Sequence, residues 1–80
     1  MLARRDILKK VKGAFLPFRC AVQIGDYTSK LRFQVFDHNG IIEISRIPLR
    51  QAQNERQLRS TLERIRYRLE DEGYAFRSSF

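Results

Sequence analysis

The spacing of hydrophobic residues changes twice along the chain. In the first segment Ala3, Ile7, Val11 and Ala14 recur every three or four positions, with Leu8 and Phe15 beside them. A 3.6-residue turn brings such positions onto one stripe, so the spacing predicts an amphipathic helix. Arg4, Arg5, Lys9 and Lys12 fall off the stripe, Gly13 weakens the last turn, and Pro17 stops the helix. The period then becomes two. Phe18, Cys20, Val22 and Ile24 alternate with Arg19, Ala21 and Gln23, which reads as a strand with one buried face. Gly25-Asp26 opens a turn, after which Leu31, Phe33 and Val35 alternate with Lys30, Arg32, Gln34 and Phe36. Asp37-His38-Asn39-Gly40 is dense in turn formers and separates this strand from a third, Ile41 to Ile47. The third strand has two readings, because Ile42 and Ile44 fit one face while Ile41 and Ile47 fit the other.

Pro48 ends the strand ladder, and the period returns to helical, with an opening turn near Leu49 and Ala52. Asn54 with Gln57 three residues on resembles a capping box. Leu58, Leu62, Ile65 and Leu69 form one stripe, and Gly73 marks the stop. Glu55 to Arg59 and Glu63 to Arg66 have the spacing of helix-surface ion pairs. After Gly73 comes the aromatic tail Tyr74-Ala75-Phe76-Arg77-Ser78-Ser79-Phe80, which either folds back as a short strand or stays loose. Short links between strands imply an antiparallel meander. The expected fold is α+β: an α-β-β-β-α two-layer sandwich whose three-stranded sheet carries both helices on one face. Residues 1–73 form the single domain and 74–80 the tail. The other sheet face is expected to hold Arg19, Gln23, Arg32, Gln34 and Glu43.

Composition narrows the class. With 80 residues, 42% of them hydrophobic, the chain has enough apolar side chains for one core and too few residues for a second domain. It contains no long apolar run, so neither a membrane span nor a secretory signal is expected. One cysteine excludes an internal disulfide, and a reducing cytoplasm is the expected compartment. Sixteen Lys and Arg against nine Asp and Glu leave a net charge of +7. Five of the bases, Arg4, Arg5, Lys9, Lys10 and Lys12, lie in the first twelve residues beside a single acid, Asp6. Such a cluster attracts phosphates, and a basic helix is also an ordinary solvated surface.

Candidate chemistry is sparse. Cys20 alternates with Phe18 and Val22, which suits a small buried hydrophobe. His38 and Asp37 occupy a turn, where Asp37 caps the backbone. Glu70, Asp71 and Glu72 are consecutive on a helix and diverge around it, so they do not converge on a metal ion. The sequence shows no nucleophile–base spacing, phosphate loop or metal-ligand set. No catalytic residue, cofactor, metal or small-molecule ligand is therefore expected. The α-β-β-β-α order resembles that of the double-stranded RNA-binding domain, in element order alone. Such domains usually carry a lysine cluster at the start of the last helix and a Gly-Pro-containing loop after the first strand. Here Gln51 to Arg56 holds no lysine and Gly25 to Ser29 no proline, so no functional residue carries over. Phe15-Leu16-Pro17-Phe18-Arg19-Cys20, the strand end Val35-Phe36-Asp37 and Leu62…Arg66-Tyr67…Leu69 resemble a short bacterial family known as a domain of unknown function. That resemblance covers most of the chain and implies no activity.

Two functions follow as expectations. The first is a small non-enzymatic interaction or regulatory module. It would bind a protein partner or a second copy through a sheet edge or through Tyr67, Tyr74, Phe76 and Phe80. The alternative is a nucleic-acid binder using Arg4, Arg5, Lys9, Lys10, Lys12 and Arg19. On the outer sheet face, Arg19, Arg32 and Gln34 with Phe36 suit a single strand, while Glu43 there would repel phosphate.

Overall fold

The computed structural model of the chain describes residues 1–25 and 29–77. Its elements are α1 (Arg4–Ala14), β1 (Arg19–Ile24), β2 (Lys30–Asp37), β3 (Gly40–Pro48), α2 (Leu49–Gln53) and α3 (Glu55–Asp71). The α+β meander is as expected, with strand order β1-β2-β3, all antiparallel, and the opening turn of the last helix present as the separate α2. Asn54 causes that separation. Its backbone is extended and its side-chain oxygen accepts the Gln57 N–H (3.0 Å), which satisfies one of the open donors of α3.

The core lies between the helices and one sheet face. Ile7, Val11, Ala14 and Phe15 meet Leu31, Phe33 and Val35 of the central strand and Leu58, Leu62, Ile65 and Leu69 of α3. The inward residues of β1, Cys20, Val22 and Ile24, are only half-buried, because β1 is an edge strand and the helices cover the centre of the sheet best. The N-terminal segment is tied in by the Leu2 N–H, which donates to the Gln53 carbonyl at the end of α2 (2.9 Å). At the β2–β3 turn Asp37 Oδ1 accepts the Asn39 N–H (2.8 Å), and Gly40 takes the positive φ of +134° that an L side chain resists.

β3 departs from both readings of its face. Val35 is paired with Glu43 but Phe36 with Ile41, so Ile42 is one residue extra, a β-bulge. A bulge shifts the alternation by one, so Ile41 and Ile44 share the outer face and Ile42 and Ile47 pack towards the core. Glu43 goes with the inward set, which corrects its expected place on the outer face. There it accepts hydrogen bonds from Ser45 Oγ (2.6 Å) and from the Arg68 guanidinium of α3, which match its charge and its lone pairs. Among the surface ion pairs, Glu55 reaches across to Lys10 of α1 (3.1 Å), and Arg59 pairs with Glu63 one helical turn on (3.3 Å).

Helix α3 closes with two reciprocal bonds. The Gly73 N–H donates to Glu70 (3.0 Å) and the Tyr74 N–H to Leu69 (3.1 Å), with Gly73 at φ +108°. This pair of bonds is a Schellman motif, and it turns the chain back towards the sheet. Tyr74 and Phe76 then pack edge-on against Phe18 (5.7 and 5.6 Å between ring centres), and Phe76 also against Phe15 (5.8 Å). The Arg77 N–H donates to the Leu16 carbonyl (2.7 Å). The tail is therefore neither a strand nor loose as far as Arg77.

Candidate functional site

The helices cover one sheet face and leave the other bare. Its side chains follow from the register. One row across the strands is Arg19, Phe36 and Ile41; the next is Ala21, Gln34 and Ile44; the third is Gln23, Arg32 and Arg46. Lys30 follows on β2. One end of the face is thus apolar and aromatic, and the other is cationic. Ile41 and Ile44 are half exposed (50% and 51%), and the Arg19 guanidinium lies over the Phe36 ring, 5.5 Å from its centre. Such cation–π stacking holds an exposed arginine in a defined place.

At the cationic end, Arg32 and Arg46 stand directly opposite one another across β2 and β3. Directly paired side chains on a sheet have their Cβ atoms about 5 Å apart, so two like charges there are destabilising. Lys30 sits diagonally from Arg46 and adds to the field. The described residues place no carboxylate on this face, because Glu43 points to the helix side. Gln23, Gly25, Lys30, Arg32 and Arg46 line a shallow depression, and Ala21, Gln23, Arg32 and Gln34 line an adjoining one.

The residues expected to bind nucleic acid fall on two sides of the molecule. Arg4, Arg5, Lys9, Lys10 and Lys12 lie on α1, above the covered face, and Lys10 is engaged by Glu55. Arg19 faces the opposite way, beside Phe36. A single flat ligand cannot bridge both sets through the core. Proximity in the chain groups the α1 bases, whereas the two-residue alternation of β1 and β2 already sets Arg19 with Arg32, Gln34 and Phe36 on one face; joining Arg46 to them needed the strand register.

The residues expected at a partner interface also divide. Tyr67 is 77% exposed on α3. Tyr74 and Phe76 are half-buried against the chain's own core, with the Arg66 guanidinium 5.3 Å from the centre of the Phe76 ring, so neither is a free anchor. Phe80 lies outside the described residues.

Cys20 points inward from β1, and burial pushes its thiol up to about 11 despite the opposing field of Lys12. The thiolate is the reactive form, so at neutral pH Cys20 should react with a disulfide reagent far more slowly than the same residue in urea-unfolded protein. Equal rates would show that the thiol is accessible. The raised value also sets a pH dependence. The folded protein keeps this proton where the unfolded chain has lost it, so stability is full below about pH 8.5 and falls as pH rises towards 11.

His38 is exposed in the hairpin turn, and Asp37 is engaged by the turn backbone. Among the described residues no group of three or more His, Cys, Asp or Glu is placed to hold a metal ion, and no helix is long and apolar enough to cross a membrane. No protein family, curated protein or solved structure matches the chain. The resemblance to a double-stranded RNA-binding domain therefore rests on element order alone and that to a short bacterial family on the residues quoted above, and the bare face has to be read from its own chemistry.

Proposed function

We propose that the protein is a small non-enzymatic binding module whose working surface is the bare sheet face and whose partner is anionic. The observation that carries this reading is the pairing of Arg32 with Arg46 across two strands, with Lys30 diagonal to it and no described carboxylate on the face. An arrangement that weakens the free domain is relieved when a negative ligand lies between the charges. The same charges argue against a second copy docking face to face, since that would set cation against cation. The open edges of β1 and β3 would allow strand addition, but their side chains supply no comparable choice of partner.

The test separates the face from the basic helix. The variant Arg32→Gln/Arg46→Gln should elute from a heparin column at clearly lower salt than the parent protein, while Arg5→Gln/Lys9→Gln should shift it less. The first variant should also be more stable than the parent by up to about 1 kcal/mol in urea, because it removes the repulsion. If the helix variant causes the larger shift in elution, α1 is the anion-binding surface and the proposal is wrong.

A further inference from the structure

We infer that the anionic partner of the sheet face is a single-stranded nucleic acid, with phosphates at the arginine end and a base stacked at Phe36. The inference rests on the reading of the face as an anion site and adds the ligand class. The face requires two properties of one ligand. Arg32, Arg46 and Lys30 require negative charge, and Phe36 with Ile41 require flat or apolar surface about 13 Å away, four strand residues along β2, with Ile44 in the row between. A duplex satisfies only the first requirement, since its bases are stacked on one another and cannot reach an aromatic ring. An extended single strand satisfies both. Its backbone is charged throughout and its bases are free to leave the stack.

The geometry between the two ends supports the same ligand. Phe36 stands mid-row on the central strand between Ile41 and Arg19, and the Arg19 guanidinium lies over its ring. Ring and guanidinium together form the platform, on which a base stacks against the guanidinium plane and the Arg19 charge attracts the adjoining phosphate. Gln34 and Gln23 lie between the platform and Arg32. Each amide offers a donor and an acceptor, which suits the edges of exposed bases. Glu43, the one acid of β3, is turned away from the face. The bulge at Ile42 does both jobs: it brings Ile41 onto the platform and leaves Glu43 with Arg68.

The experiment is a fluorescence-anisotropy titration of the full chain with labelled single-stranded RNA and DNA of about 12 nucleotides. The matching duplex and a glutamate-rich peptide of equal charge complete the set. At low salt the single strands should bind more tightly than the duplex or the peptide. Phe36→Ala should weaken single-strand binding about fivefold or more, as loss of one stacked base does. Phe36→Leu keeps apolar bulk without a ring and should lose nearly as much, and both variants should elute from heparin like the parent. Arg32→Gln/Arg46→Gln should lower the slope of log K against log salt by about 1.4. Each variant is first shown to be folded by circular dichroism and a cooperative melt. Equal binding of single strand and duplex, no effect of Phe36→Ala and Phe36→Leu, or tighter binding of the peptide overturns the inference and leaves the anion-binding reading standing. Loss of the Arg32 and Arg46 dependence on both heparin and oligonucleotides overturns the reading itself.

Discussion

Removing residues 74–80 should destabilise the domain by about 3–5 kcal/mol, a large share of the roughly 4–12 kcal/mol expected of an 80-residue fold. The deletion strips Tyr74 and Phe76 from an aromatic cluster that continues through Phe18 and Phe15 to Phe33. Edge-on ring pairs contribute about 0.5–1.5 kcal/mol each beyond the area they bury, and three of them would be lost. The bond from the Arg77 N–H to the Leu16 carbonyl would go as well, and Phe15 and Phe18 would be left facing water. The midpoint of urea unfolding measures the effect. The point variant Phe76→Ala should show about half the loss, because it leaves Tyr74 and the helix stop in place. A truncated protein within about 1 kcal/mol of the parent would mean that the tail rests on the surface without supporting it.

Phe33→Ala should be at least as damaging, at about 3–5 kcal/mol, and should leave the chain largely unfolded at 37 °C if the parent lies low in its stability range. Phe33 has no exposed surface, sits on the central strand and packs on Phe15, 5.6 Å between ring centres. A small two-layer domain has one core, and the cavity left here cannot be filled from a second layer. Thermal unfolding followed by circular dichroism checks this, and a double-mutant cycle with Phe15→Ala should return a coupling of about 0.5–1.5 kcal/mol. Independent effects of the two substitutions would show that the rings are buried without supporting one another.

Much of the fold was legible because the informative signals are short in range. The helical stripe of Ile7 and Val11, the alternation through Leu31, Phe33 and Val35, and the stripe from Leu58 to Leu69 each concern residues within a few positions of one another. Asn54 and Gly73 acted where their chemistry placed them, as an acceptor for a free helix donor and as a residue tolerant of positive φ. The candidate site was less legible. Arg19, Arg32, Gln34 and Phe36 were recognised as outward residues, but Arg46 and Ile44 were not joined to them. Period two gives a strand's faces only while the strand stays regular, and one extra residue exchanges the faces beyond it.

By itself, then, the sequence determined the order of elements, the turn at Asp37–Gly40, the helix stops and the inward faces of β1 and β2, because nearest-neighbour sterics and hydrophobic spacing decide these; the turn read from Gly25-Asp26 runs outside the described residues. The tertiary structure decided three things. It set the register of β3, because the neighbours Val35 and Phe36 take partners two residues apart, Glu43 and Ile41, where a regular ladder takes adjacent ones, and that is settled by pairing along the whole strand. It moved Glu43 to the helix side, because Arg68, 25 residues later, and Ser45 meet it there. It docked the tail, because Phe15 and Phe18 present rings that Tyr74 and Phe76 reach only after α3 has packed and turned back. The cationic bare face follows from the first two, since long-range pairing turned Glu43 away from it and set Arg32 opposite Arg46.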